Sequence, residues 1–147
     1  MIAQVRPLVA ADRPEWARLW TAYLAFYETT RPPEMFDLAF KRLLSDAPNT
    51  YAGLIAEVDG TPAGLAHYVF HAHGWQAQDI CYLQDLYVDP DKRGHGVGRA
   101  LIEAVEQAAQ AASVAPVYWM TQEDNADARA LYDRVATKTP FIQYKRG

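Results

Sequence analysis

Tyr87-Val88-Asp89-Pro90-Asp91-Lys92-Arg93-Gly94-His95-Gly96-Val97-Gly98-Arg99 is the stretch on which the reading of this chain turns. A β-branched, aromatic run ends at Val88, and an amphipathic pattern (Val97, Ala100, Leu101, Ala104, Val105, Ala108) begins just beyond the second glycine. The stretch is therefore a strand, a turn and the start of a helix. Glycine carries no Cβ, so the main chain at 94, 96 and 98 can turn several N–H groups toward one concave spot. The first-turn amides of the helix point there too, with the positive end of the helix dipole behind them. Such a loop can cradle a pyrophosphate, to which Arg93 and Arg99 can add charge-assisted contacts; the alternative is a surface turn between strand and helix that merely uses glycine. The spacing G-x-G-x-G is not the dinucleotide fingerprint G-x-G-x-x-G, which sits at a first strand–helix turn, nor is there the Gly-Lys-Ser/Thr of a nucleoside-triphosphate loop.

Outward from the loop, the chain reads as alternating elements. Ile2 to Arg6 alternates as a short strand, and Asp12, Pro14 and Glu15 signal a helix start with Asp12 as N-cap. Trp16, Leu19, Trp20, Tyr23, Leu24 and Tyr27 follow at helical spacing, and Thr29-Thr30-Arg31-Pro32-Pro33 ends that helix. A second helix is expected over Glu34 to Leu44, with Phe36, Phe40, Leu43 and Leu44 inward. Strands are expected at Tyr51 to Val58 and Pro62 to His71, joined by a hairpin turn at Asp59-Gly60, and at Ile80 to Val88. Beyond the long helix come a strand at Val117 to Thr121, a helix at Asn125 to Arg134 and a last strand at Phe141 to Lys145. The order β-α-α-β-β-β-α-β-α-β predicts an α/β mixed sheet with helices on its faces.

Size and composition bound the function. A chain of 147 residues is the size of one domain, here taken as 1–147, and it can bury a core without disulfides. The net charge of −4 and the lack of a long basic stripe argue against nucleic acid as a partner. Cys81 has no second cysteine to pair with, which suits a reducing compartment. The start Met1-Ile2-Ala3-Gln4-Val5-Arg6 lacks a signal peptide's pattern, and no apolar run approaches the ~20 residues that cross a bilayer. A soluble cytoplasmic protein with no membrane partner is expected. His67, His71 and His73 have no nearby cysteine to complete a ligand set, so no metal is expected, and Cys81 reads as a small buried residue.

Arg93-Gly94-His95-Gly96-Val97-Gly98 matches the [Q/R]-x-x-G-x-[G/A] signature of the GNAT superfamily of N-acetyltransferases. Tyr82-Leu83-Gln84-Asp85-Leu86-Tyr87-Val88-Asp89-Pro90 resembles that superfamily's bulged fourth strand, and Asn125-Ala126-Asp127-Ala128-Arg129-Ala130-Leu131-Tyr132 resembles its N-x-x-A-x-x-L-Y helix. The three motifs fall in the superfamily's order, and the likeness spans nearly the whole chain. The C-terminal third is most similar to the histone/polyamine and D-amino-acid acetyltransferase branch. One departure is Val135-Ala136-Thr137-Lys138-Thr139-Pro140-Phe141, where many members carry Gly-Phe.

The resemblance implies a mostly antiparallel sheet of six to seven strands, splayed between the fourth and fifth, and acetyl-coenzyme A as co-substrate. It implies a primary amine of a small molecule as acceptor. The alternatives are a protein lysine or N-terminal acetyltransferase, and a non-catalytic acyl-coenzyme A sensor. The coenzyme would be held by Leu86, Tyr87 and Val88, by the loop residues Arg93, Gly94, His95, Gly96, Val97, Gly98 and Arg99, and by Asn125 and Tyr132. Asn125 could instead serve only as a helix N-cap. Tyr132 matches the tyrosine that protonates the departing thiolate in many relatives, against a reading as a packed aromatic. Deprotonating the amine needs a base; Asp85 is the first candidate, against a purely structural carboxylate, with Glu57 or water as others. Tyr27, Glu28, Arg31 and Gln84 are expected near the acceptor. The final strand takes part in subunit exchange in that branch, which implies a homodimer.

Overall fold

A computed structural model describes residues 2–47 and 51–147. Its central sheet runs β1 (Ala3–Pro7), β2 (Ala52–Val58), β3 (Thr61–His71), β4 (Ile80–Val88) and β5 (Val117–Tyr118), in that spatial order. The first four strands are antiparallel neighbours; β5 lies parallel to β4. Asp59 and Gly60 both take positive φ, 52° and 77°, giving the tight hairpin between β2 and β3 that the dipeptide predicts. One face of the sheet carries α1 (Arg13–Phe26) and α2 (Pro33–Leu43); the other carries α3 (Val97–Ala111), with α4 (Ala126–Val135) beside it.

The two faces hold different cores. Against α1 and α2 the packing is aromatic: Trp16 stacks on Trp20 with centroids 5.3 Å apart and tilts against Phe40 at 4.9 Å. Against α3 it is aliphatic, with Leu54, Val58, Val97, Leu101, Ile102 and Val105 closing on one another. Gly64 leaves no room for a side chain, because a Cβ there would lie 2.6 Å from the Tyr87 carbonyl oxygen of the neighbouring strand and 3.3 Å from Leu101 of α3.

Two bulges shape the sheet, and the one in β4 sets up the site. His67 faces Asp85 across the β3–β4 ladder, but the next pair is Tyr68 with Leu83, so Gln84 has no counterpart. An extra residue flips the alternation. Cys81 and Leu83 face the α3 core, whereas Asp85 meets His67 and Tyr87 enters the α1 core.

Three expectations need correction. The sheet has five strands among the described residues, not six or seven: Phe141 to Lys145 pairs with nothing, and Phe141, Ile142 and Tyr144 lie exposed beyond α4. The edge strand β5 is two residues long, and Pro140 has no N–H to start a ladder with. Asp12 does not cap α1 through its side chain, because its carboxylate accepts the Arg6 guanidinium twice at 2.8 Å and the Val9 N–H at 2.8 Å. That pairing holds the Asp12 carboxyl below its usual range. Leu44, expected inside, closes α2 half-exposed. No described helix is long and apolar enough to cross a membrane.

Candidate active site

The β4–β5 ladder contains only Cys81 with Val117 and Tyr82 with Tyr118. Past that point the strands part, and β4 from Leu86 to Val88 keeps a ladder partner only on its β3 side. The gap is a cleft of about 470 Å³. Its floor is Leu86, Tyr87 and Val88, its first wall is Arg93, Gly94, Gly96, Val97, Gly98 and Arg99, and its far wall is Asn125, Leu131 and Tyr132. Tyr23 and Tyr27 close the α1 end.

The Gly-rich wall is built as the sequence implies. Gly94 and Gly96 line the cleft and sit at φ of 82° and 78°, in the left-handed region that L side chains rarely adopt. Gly96 is the N-cap of α3, so the amides of Val97, Gly98 and Arg99 belong to its first turn and have no partner within the helix. A Cβ on Gly98 would stand 3.0 Å from the Leu131 side chain, so its absence lets α4 close on α3. Arg93 donates its Nε–H to the Val88 carbonyl at 3.1 Å, which ties the loop to the end of β4 and leaves the rest of its fork at the cleft. Arg99 pairs with Glu103 through Nε at 3.1 Å on the exposed side of the helix. The His95 side chain is exposed and does not line the cleft.

On the far wall, Trp119 packs edge-on against Tyr132 with centroids 5.4 Å apart. Burial, with the Tyr27 phenol second, pushes the Tyr132 hydroxyl up to about 12 from an ordinary 10. It stays protonated at neutral pH and is a donor. Asn125 is the N-cap of α4, its carbonyl oxygen accepting the Ala128 N–H at 3.4 Å, and it also lines the cleft.

Behind Tyr23 lies a buried polar chain. Asp85 is 8% exposed and does not itself line the large cleft. Its Oδ2 lies 2.8 Å from Nδ1 of His67, which is 1% exposed, and the His67 Nε2 accepts the indole N–H of fully buried Trp16 at 2.9 Å. Burial first, then the charge of the Asp85 carboxylate, raise the Tyr23 hydroxyl far above its ordinary value. Tyr27, Tyr51 and Tyr82 are also raised, chiefly by burial, and each feels the same carboxylate. Four phenols thus surround one acid.

Other expected residues fall outside this constellation. Glu57 is tied to Arg6 at 2.8 Å across β1 and β2. Gln84 is the exposed bulge residue, and Glu28 and Arg31 are exposed in the turn after α1, away from the cleft lining. His71 pairs with the Tyr118 hydroxyl at 2.8 Å, and no group of three or more His, Cys, Asp or Glu comes together as a metal site among the described residues. Cys81 is buried and its thiol is pushed up to about 11 by that burial, which suits packing. His67, Trp16, Tyr23 and Tyr51 were not expected in the site. The available signal was a histidine inside Ala63-Gly64-Leu65-Ala66-His67-Tyr68-Val69-Phe70, since a buried imidazole needs partners for both ring nitrogens.

Residues 16–136 match the model of the acetyltransferase (GNAT) family. The chain belongs to that family. It is accordingly an acyltransferase of the N-acetyltransferase kind. It is 36% identical over 143 residues to the D-amino-acid N-acetyltransferase HPA3 of Saccharomyces cerevisiae, a match spanning 97% of this chain and 89% of that protein. In fold it is similar to the ribosomal-protein-alanine N-acetyltransferase of Brucella melitensis, with TM-score 0.82 and 24% identity over 100% of this chain and 99% of that one. It is also similar to AAC(6')-Iy in complex with a bisubstrate analogue, CoA-S-monomethyl-acetylneamine, with TM-score 0.85 and 18% identity over 100% and 99% of the two chains. The splayed mixed sheet is thus the family's fold.

Proposed function

We propose that this acetyltransferase moves the acetyl group of acetyl-coenzyme A directly to the primary amine of a small molecule, both bound at once. The observation that carries the reading is the meeting, in one cleft, of a splayed strand end, the N-terminus of α3 and the Tyr132 hydroxyl. The cradle fits a diphosphate: Gly94 and Gly96 hold left-handed turns at the cleft wall, the first-turn amides of α3 have no helical partner, and Arg93 and Arg99 stand beside them. The ladder-free side of Leu86 to Val88 would take a pantetheine arm as an added strand. Solved relatives of this fold have coenzyme A or its conjugate bound, which supports the same ligand here.

The amine nitrogen attacks the thioester carbonyl, the C–S bond breaks, and the amine's proton must leave. A main-chain N–H near Leu86 or Val88 steadies the carbonyl oxygen as charge develops on it. Asp85 takes the proton, directly or through water. Tyr132 faces the departing sulfur. A phenol held near 12 is a weaker acid than a thiol at about 8.5, so its service is mainly a hydrogen bond to the thiolate, full transfer being uphill. The acceptor enters beside Tyr27 and Tyr23, where Asp85 and the tyrosine rings suit an ammonium. The D-amino-acid and aminoglycoside specificities of relatives favour a small acceptor. A second copy covering the apolar tail at Phe141, Ile142 and Tyr144 would make a homodimer, which light scattering before and after removal of residues 137–147 tests.

The deciding experiment measures thiol release from acetyl-coenzyme A against panels of amines, amino acids and peptides, with coenzyme binding followed by calorimetry. Small amines are expected to turn over, and Tyr132→Phe to lower turnover ~10-fold or more with binding nearly intact. Turnover confined to peptides would make it a protein acetyltransferase; binding with no turnover, a sensor.

A further inference from the structure

A histidine fully buried in a strand does nothing for the coenzyme, and the mechanism above does not use it. Its two hydrogen bonds nevertheless specify its state. The Trp16 indole is only a donor, so His67 Nε2, 2.9 Å away, must be the acceptor. In a neutral imidazole the proton then resides on Nδ1, aimed at Asp85 Oδ2 at 2.8 Å. An imidazolium would set a second N–H head-on against that of Trp16. The indole therefore holds His67 neutral, and the His67–Asp85 contact is a hydrogen bond from a neutral donor rather than an ion pair.

We infer that Trp16 and His67 are positioning residues for acetyl transfer: the indole fixes His67 as a neutral Nδ1–H donor, which orients the Asp85 carboxylate without neutralising its charge. This rests on Asp85 being the base. The carboxylate is anchored from behind by a buried imidazole, and Tyr23, whose hydroxyl feels its charge, lines the cleft's end. The imidazole is behind the acid and the reacting amine in front, so a proton taken by Asp85 leaves toward the cleft, because His67 has no vacant nitrogen to receive it. The other ionisable groups around Asp85 are Tyr23 and Tyr27 from α1, Tyr51 ahead of β2, with Arg42 against it, and Tyr82 from β4. All the phenols are held protonated by burial. His67 is thus the group within hydrogen-bond reach of Asp85, and the Trp16 N–H at its other nitrogen leaves Nδ1 as its one donor.

The first test is a nitrogen-15 correlation spectrum of the histidine rings in the unmodified protein: the expected result for His67 is the Nδ1–H tautomer, persisting as the pH falls to about 6. An Nε2–H tautomer, or an imidazolium at neutral pH, overturns the inference. The second is kinetic. His67→Leu is expected to lower kcat by ~10- to 100-fold with coenzyme affinity unchanged, and His67→Asn, whose amide N–H can stand near the place of Nδ1, to restore most of it. In Trp16→Phe, His67 is released to take a proton and form an ion pair that makes Asp85 a poorer base. The variant's activity relative to wild type should therefore fall about tenfold as pH goes from about 8 to about 6. A purely structural role would lower activity equally at every pH and leave Asn no better than Leu, and either result rejects the idea. Asp85→Asn separates the layers: if it is inactive while His67→Leu is normal, only this inference fails, and if it is fully active, the assignment of the base fails first.

Discussion

On the α3 side of the cleft the contacts offered to a ligand come from main chain: amides of residues 94 to 99, the ladder-free edge of Leu86 to Val88, and the α3 dipole. On the α1 side they come from side chains, Tyr23 and Tyr27 of α1, backed by the buried Asp85 and His67 from β4 and β3. A main-chain cradle binds what every acetyl-coenzyme A reaction shares, and it tolerates any side chain that leaves the turn open. A side-chain cage fits one kind of acceptor and changes with a single residue. The division predicts that variants on one side move coenzyme affinity and variants on the other move turnover.

The largest effect should follow Asp85→Asn, which keeps the shape and removes the charge. We expect kcat/KM for the amine to fall ~10²- to 10⁴-fold with coenzyme binding by calorimetry unaltered. Equal losses in both measurements would dissolve the separation between the two sides. A smaller and opposite signature is expected for Gly96→Ala. Holding an L-residue at φ 78° costs ~1–2 kcal/mol, so coenzyme affinity should weaken about tenfold while turnover at saturation stays near wild type. Were turnover to collapse with affinity intact, the glycine would be serving the chemistry and not the anchor.

This contrast also explains how much could be read in advance. The cradle is contiguous, so the strand–helix turn was legible in Arg93 to Arg99, and the Asn125 to Tyr132 helix came with it. The elements up to α4 were legible from periodicity and turn residues, and β4 was placed to the residue. The bulge at Gln84 was expected of the family, but not that it would turn Asp85 toward α1 by breaking the alternation. Nor was the partnership of Trp16 with His67 visible, 51 positions apart in the sequence. Trp16 looked like one more aromatic of a helix stripe, since nothing in a periodic pattern says where an indole N–H will point. The final strand failed for a different reason. Phe141 to Lys145 has strand composition, but composition supplies no partner, and β5 is too short to provide one.

The smallest effect concerns what the two sides share: burial holds the phenols of both protonated. For Tyr132 the folded value of about 12 lies above the ordinary 10, so the folded state binds the proton more tightly than the unfolded state does. The resulting stabilisation is complete below pH ~10 and is lost as pH rises toward ~12. Tyr23, raised still further, acts in the same direction from the α1 side. Thermal melts of wild type should therefore fall in midpoint above pH ~10, and Tyr132→Phe, with no proton to lose, should fall less, by at most about 2–3 kcal/mol of relative stability. Tyr23→Phe should show the same sign. Parallel curves for wild type and both variants would mean that the phenols are as well solvated folded as unfolded. In that case water reaches both Tyr132 and the Asp85 cage, and neither side of the cleft is the dry site that its chemistry requires.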